Sequence, residues 1–184
     1  VGQVVAEVTR DADHYRRSGG GVTLSGGEPM DQPAFTRKVL RACHELNIHT
    51  AIETSGHADW SLYEEILPYT ELFLYDIKHM DSETHRRLTG VPNEAILANA
   101  RRLARGGASI VLRVPLVREH NLDEGNLQAV ADFTASLNVR EVHLMPFHQL
   151  GKDHYRRLGR SYLLSELPGL RQTSEGAASI RRAC

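Results

Sequence analysis

Short apolar segments alternate with amphipathic segments along most of this 184-residue chain. The apolar segments are rich in β-branched and aromatic residues, and residues 72–77 (LFLYDI) are almost continuously apolar. Near-continuous apolar strands are typical of a parallel sheet that is covered on both faces. We therefore predict strands at residues 22–24, 48–54, 72–77, 110–114 and 142–145.

The amphipathic segments between these strands show helical spacing. Residues 32–46 carry apolar side chains at helical spacing, with Asp31 as a candidate N-cap; they are Phe35, Val39, Leu40, Cys43 and Leu46. The pattern predicts one helix and then five strand–helix units, with further helices at residues 2–17, 60–67, 94–105 and 123–137. Such alternation implies right-handed parallel crossovers, and it fits either an open doubly wound sheet or part of a (β/α) TIM-type barrel.

Composition restricts the class of protein. Hydrophobic residues make up 41% of the chain, charged residues 24%, and the formal net charge is -1. These values predict a soluble globular domain with no attraction to nucleic acid or to a membrane. The two cysteines, Cys43 and Cys184, do not suggest a disulfide framework, so we expect a cytoplasmic protein. Because the chain starts at Val1, we also expect it to be a piece of a longer protein.

Polar residues recur where each predicted strand ends. In both candidate architectures ligands bind at the carboxyl ends of the strands, so these residues are the first candidates for a site. Each has a structural alternative: a tight turn, an exposed ion pair or an ordinary loop histidine. Asp76 and Lys78, two residues apart on a strand, share one face and would suit a zwitterionic ligand. The candidates are Ser25, Gly26, Gly27, Glu28, Glu53, Thr54, Asp76, Lys78, Arg113 and His148.

The common phosphate-binding and nucleophile motifs are absent from this sequence. No Walker loop or G-x-G-x-x-G motif occurs, and Ser25 is not part of G-x-S-x-G. No histidine pair has convincing metal-ligand spacing. Five glycines in residues 19–33 (GGGVTLSGGEPMDQP) instead suggest that a ligand approaches the backbone closely.

Four ordered blocks resemble the activating enzymes of glycyl radical enzymes, a branch of the radical S-adenosylmethionine (SAM) enzymes. The blocks are RRSGGGVTLSGGEP at residues 16–29, DIKHMD at 76–81, LRVPLV at 112–117 and MPFHQLG at 145–151. The resemblance implies a partial (β/α) barrel with about five of its six parallel strands in this chain. It covers residues 1–160 as one domain, and residues 161–184 are expected to form a poorly matched tail.

The resemblance also implies cofactors and partners. A reduced [4Fe–4S] cluster would cleave SAM, and the resulting radical would take hydrogen from a glycine of a glycyl radical enzyme such as pyruvate formate-lyase. An electron donor such as flavodoxin or ferredoxin would reduce the cluster. The parent protein is therefore expected to be an anaerobic, cytoplasmic oxidoreductase of the formate C-acetyltransferase-activating type.

Carried over by resemblance, the candidate residues receive roles. Gly26 and Gly27 would offer main-chain groups to the methionine amino group of SAM, and Glu28 would orient their turn. Asp76 would face the methionine end, and Lys78 would meet its carboxylate. The remaining expected cofactor-binding residues are Glu53 and Thr54 nearby, Ile77 and Arg113 in the matched blocks, and His148 at the adenosine part.

Two features depart from the family pattern. The C-x-x-x-C-x-x-C motif that holds the cluster does not occur in this chain, so its ligands are expected in the parent outside these residues. Glu53 stands where the family prototype has Asp at a monovalent cation site, and residues 118–120 (REH) replace the usual Pro-Gly turn before Asn121. We expect this chain alone to lack the cluster and to be inactive.

Three alternative functions stay open at this stage. The chain could belong to another radical SAM enzyme that acts on a peptide or small molecule. It could also be a cluster-free module that binds SAM or a protein. The third alternative is a barrel lyase or aldolase that uses Lys78 as a Schiff base.

Overall fold

The computed structural model describes residues 1–149, 156, 157 and 159. The expected helix after the fifth strand and the expected tail at residues 161–184 lie outside these residues. The strands are β1 (Gly21–Leu24), β2 (His49–Thr54), β3 (Leu72–Asp76), β4 (Ile110–Leu116) and β5 (Val142–Pro146). The helices that precede and connect them are α1 (Gly2–Arg10), α2 (Ala12–Ser18), α3 (Pro33–Glu45), α4 (Trp60–Ile66), α5 (Ser82–Thr89), α6 (Glu94–Arg105) and α7 (Glu124–Leu137).

The five strands form one parallel sheet in the order β1-β2-β3-β4-β5. Sequential order means that the sheet always grows in the same direction, and right-handed crossovers then place the connecting helices on one face. A doubly wound sheet would instead reverse its strand order at a switch point. The structure therefore confirms the partial-barrel prediction and excludes the open doubly wound sheet for the described residues.

Alternation along β4 shows how the two faces of the sheet differ. Leu112 and Val114 are fully buried and pack in the main hydrophobic core, whereas Arg113 between them points to the other face. Large side chains on the helices complete this core, including Leu40 of α3, Ile66 of α4 and others from α6 and α7. Apolar burial on the helix side thus leaves the opposite face free to carry charge at the strand ends.

Three details of the predicted helices are wrong. The helix expected over residues 2–17 is divided at Asp11 into α1 and α2. Asp31 does not cap α3, because it lies in a 3₁₀ turn (Pro29–Asp31) capped by Glu28, whose side chain accepts from the Met30 amide. The apolar pattern does not predict helix α5, because this helix has few apolar residues. The Asp81 side chain caps its first turn.

Candidate active site at the strand ends

The turn after β1 contains two glycines in the left-handed region. Gly26 has φ +87° and Gly27 has φ +96°, conformations that disfavour any residue with a Cβ. A Cβ built on either residue would meet nothing within 4 Å. Backbone conformation therefore requires these glycines, and the space beside them is open to a ligand.

Glu28 connects this turn to the end of β2 through hydrogen bonds. Its Oε1 accepts hydrogen bonds from Thr54 Oγ1 at 2.8 Å and from the Met30 amide at 3.1 Å. Its Oε2 accepts from the Ser55 amide at 2.8 Å and from Ser55 Oγ at 2.7 Å. Four donors fill the acceptor capacity of a carboxylate, so Glu28 orients the turn and has no capacity left for a ligand.

Four charged side chains form a continuous array beside this turn. Arg113 Nη2 donates to Glu53 Oε1 at 2.7 Å, and Arg113 Nε lies 3.2 Å from Asp76 Oδ1. Lys78 Nζ donates to Asp76 Oδ2 at 3.0 Å. Ser25 Oγ donates to Glu53 Oε2 at 2.9 Å and so connects the array to the end of β1. Two carboxylates and two cations balance one another across β2, β3 and β4.

The pKa values in the array follow from these contacts. The hydrogen bond from Arg113 holds the pKa of Glu53 below its usual value, although burial acts in the opposite direction. The same hydrogen bond raises the pKa of Arg113. Asp76 Oδ1 and Arg113 Nε are buried and form an ion pair at 3.2 Å. The angles between them do not allow a hydrogen bond. The array therefore keeps unused hydrogen-bonding capacity at its centre.

The structure brings most of the predicted site residues together, with two exceptions. The Ile77 side chain is buried in the helix-side core, so only its backbone reaches the site, where its amide donates to the Arg113 carbonyl at 2.8 Å. His148 is exposed after β5, and no hydrogen bond or ion pair between it and the other candidates is found in the described part of the chain. Their expected contacts with the cofactor remain predictions.

A cavity of about 310 Å³ opens next to the array. Glu28, Ser55, Asp76 and Lys78 line one side of it, and residues of α5 and the following loop line the other. This volume lies at the lower end of the range for small-molecule sites. The carboxyl ends of β1, β2 and β3 thus surround a space with both acidic and basic side chains.

Buried asparagines that the sequence analysis did not single out hold the loops of this site. Asn121 donates to the carbonyls of Lys78 at 2.8 Å and Pro115 at 2.6 Å, and Asn93 donates to the His79 carbonyl at 2.9 Å. Asn121 therefore fixes the backbone that carries Lys78. Just before it, Glu119 adopts φ +67°, a conformation that glycine adopts without strain.

The described residues do not supply an evident metal centre. No group of three or more His, Cys, Asp or Glu residues suited to a metal ion occurs within residues 1–149 and the three further described positions. Cys43 is buried in the packing of α3, and burial raises its pKa. Cys184 lies outside the described residues. Over the same part of the chain, every helix is too short or too polar to cross a bilayer.

Comparison with known proteins agrees with this geometry. The Radical SAM superfamily model matches residues 3–128. The (2S)-3-sulfopropanediol dehydratase activating enzyme of Klebsiella oxytoca is 38% identical over 170 residues, which cover 91% of this chain and 54% of the relative. The isethionate sulfite-lyase activating enzyme of Oleidesulfovibrio alaskensis is 43% identical over 169 residues, with coverage of 91% and 54%. The chain thus spans about half the length of these curated relatives.

A solved structure gives the same result. A domain of pyruvate-formate lyase-activating enzyme from Bacteroides vulgatus superimposes with a TM-score of 0.70 at 31% identity. The match covers 89% of this chain and 94% of that domain. The chain therefore belongs to the radical SAM superfamily, within the family of glycyl-radical-enzyme activating enzymes.

Proposed function

We propose that the full protein activates a glycyl radical enzyme and that the strand-end site binds the methionine end of SAM. The observation that carries this proposal is the pair of open, left-handed glycines beside the Asp76–Lys78 ion pair. Methionine carries both an ammonium and a carboxylate, and the site presents both signs of charge within a few ångströms.

The residues present fit this ligand. Exposed main-chain groups at Gly26 and Gly27 can bind the ammonium, because no side chain covers them. Lys78 is about one third exposed and can turn its remaining donors to the carboxylate. Asp76, held between Lys78 and Arg113, keeps the ammonium of Lys78 pointed at the site.

Glu53 and Arg113 form the rigid floor of the proposed site. Arg113 exposes only 14% of its side chain, and its guanidinium is held between two carboxylates. A guanidinium fixed at both ends loses little further conformational freedom when a ligand binds. These two residues therefore position the charges that meet SAM rather than moving to do so.

For the [4Fe–4S] cluster, this sequence offers two cysteines, of which Cys43 is buried in the core and Cys184 is the second. We propose that residues of the full protein outside this sequence hold the cluster. When both groups are bound, the cluster would supply the electron for cleavage of SAM, and a glycine of the partner would lose a hydrogen.

The partner is proposed at the level of class. The relatives' names refer to activation of a sulfopropanediol dehydratase, an isethionate sulfite-lyase and pyruvate-formate lyase, so the identity of the glycyl radical enzyme stays open. Pyruvate formate-lyase is one candidate, and flavodoxin or ferredoxin is the proposed electron donor. A cytoplasmic location remains a prediction from composition.

Binding of SAM to the anaerobically reconstituted full-length protein tests this proposal. Lys78→Met should weaken SAM binding about tenfold or more, because a charge-assisted contact to the carboxylate is lost. Arg105→Met on the exposed end of α6 is the control and should leave the affinity unchanged. Equal affinities for wild type and Lys78→Met would contradict the proposal.

A further inference from the structure

Tyr63 of α4 brings a buried hydroxyl to the end of β2. Its side chain is fully buried, and its phenolic oxygen lies 2.9 Å from Oγ1 of Thr54. Thr54 is also buried, and the same Oγ1 contacts Glu28 Oε1 at 2.8 Å and the Gly56 amide at 3.1 Å. One threonine oxygen thus joins α4 to the glutamate that holds the Gly26–Gly27 turn.

The direction of each hydrogen bond follows from the number of protons. A threonine hydroxyl has one proton to donate and can accept two hydrogen bonds. The carboxylate of Glu28 only accepts hydrogen bonds. Thr54 must therefore donate its one proton to Glu28. The Gly56 amide can only donate to Thr54. Tyr63 must therefore donate to the second lone pair of Thr54.

Burial keeps Tyr63 in this donor role. Removal from water raises the pKa of the Tyr63 phenol well above its ordinary value, against the effect of the hydrogen bond with Thr54, and the negative charge of Glu28 also raises it. The phenol is therefore protonated under all physiological conditions. A relay of donors runs from Tyr63 through Thr54 to Glu28.

We propose that Tyr63 is a positioning residue for the SAM-binding turn, acting through Thr54 and Glu28 without contacting SAM itself. By filling the second lone pair of Thr54, Tyr63 fixes the rotamer that aims the threonine proton at Glu28. Glu28 in turn holds the backbone in which Gly26 and Gly27 expose their main-chain groups. This proposal rests on the proposed function of that turn.

Two phenylalanine variants of the full-length protein test it. Tyr63→Phe removes the donor and keeps the packed ring. Tyr75→Phe is the matched control, because Tyr75 is equally buried and donates at 2.6 Å to the Ile96 carbonyl instead of to the relay. The measurements are amide hydrogen exchange of Met30 and Ser55, whose amides donate to Glu28, and the dissociation constant of SAM.

We expect Tyr63→Phe to speed exchange of the Met30 and Ser55 amides and to weaken SAM binding, each by about five- to tenfold, the effect of one lost hydrogen bond. Tyr75→Phe should change neither quantity. It should lower the folding equilibrium constant of the whole protein by a similar five- to tenfold factor. Equal behaviour of the two variants in both measurements would overturn the proposal.

A second variant separates the relay from general packing. Thr54→Val removes the hydroxyl through which Tyr63 acts and keeps the side-chain shape. In a Thr54→Val background, Tyr63→Phe should add little to the exchange rate of the Met30 and Ser55 amides. A full additional effect there would mean that Tyr63 acts by another route, and the proposal would be wrong.

Failure of the two proposals can be distinguished. If the wild-type protein does not bind SAM but the exchange contrast between Tyr63→Phe and Tyr75→Phe holds, the SAM assignment fails and the relay stands as a support of the turn. If SAM binds and the contrast is missing, the proposed function stands and the role of Tyr63 is rejected.

Discussion

The guanidinium of Arg113 on β4 lies 2.7 Å from the carboxylate of Glu53 on β2 and so spans the intervening strand β3. On its way it passes Asp76, the register partner of Arg113 on β3. An aspartate at position 53 would be one methylene shorter and would not reach the guanidinium at this distance. The glutamate is therefore matched in length to the arginine in this chain.

Arg113→Lys should lower the free energy of unfolding by about 1–2 kcal/mol, because an ammonium cannot donate to Glu53 while filling the planar position beside Asp76. Urea denaturation measures this change. Arg41→Lys is the control, since Arg41 forms an exposed ion pair with Glu45, and it should leave the stability nearly unchanged. Equal stabilities of the two variants would contradict the bridging role.

The decrease of unfolding free energy at acidic pH, here called the acid limb of the stability profile, should depend on Glu53. A carboxyl whose pKa is lower in the folded state stabilises the fold above its unfolded pKa, and this contribution is lost as pH falls through the folded pKa. The loss should therefore appear as pH falls below the ordinary glutamate value of 4.5. Glu53→Gln should flatten this part of the plot of unfolding free energy against pH.

Glu71 provides a comparison away from the site. Hydrogen bonds from Thr50 and His44 also lower the pKa of Glu71, against the effect of burial. Glu71→Gln should flatten the same part of the pH profile and leave the affinity for SAM unchanged. An unaltered acid limb in both variants would show that these hydrogen bonds do not stabilise the folded state.

Alanine in place of Gly27 should cost about 1–2 kcal/mol of stability, because φ is positive although a Cβ would meet no atom within 4 Å. Gly90→Ala is the matched control, with φ +90° and equally open space at the end of α5. Both variants should lose similar stability, and only Gly27→Ala should weaken SAM binding. Weaker binding in both would assign the effect to strain alone.

Gly56 should behave differently from both. A Cβ at this position would lie 1.9 Å from the Tyr75 hydroxyl oxygen, and φ is +80°. Gly56→Ala should therefore destabilise the protein by about 3 kcal/mol or more, since clash and strain add. Thermal unfolding compares the three glycine variants, and a loss at Gly56 no larger than at Gly90 would contradict the packing described here.

Glu28→Gln should lower the free energy of unfolding by about 2–3 kcal/mol. The amide NH₂ would face O–H and N–H groups that now donate to the carboxylate. Exchange of the Met30 and Ser55 amides, which donate to Glu28, should also become faster in this variant than in the wild-type protein. Glu45→Gln, on the exposed end of α3, serves as the control in the same denaturation series. A Glu28→Gln protein as stable as this control would show that the turn does not depend on the carboxylate.

The local sequence pattern was sufficient to predict the strands and the charged residues at their ends. Alternation along each strand places Glu53, Asp76 and Arg113 on one face, and parallel register brings those positions together. Helix α6 (Glu94–Arg105) also has the bounds that its apolar spacing predicted. Both results depend on periodicity within one segment, which the sequence displays directly.

Features that depend on contacts between segments could not be predicted in this way. Tyr63 has the sequence signature of an ordinary core residue of α4, and only the packing of that helix against β2 shows its hydroxyl at Thr54. Asp31 looked like a cap, but Glu28 holds the preceding turn and shifts the start of α3. The saturation of Glu28 likewise requires donors that are 26 and 27 residues away in sequence.

The most direct test of the account is amide hydrogen exchange of the anaerobically reconstituted full-length protein with and without saturating SAM. The account predicts slower exchange at residues 25–28 and 76–78, with no change in α7, none of whose residues lines the cavity. Demonstrated SAM binding that leaves residues 25–28 and 76–78 unaffected would contradict the assignment of this site.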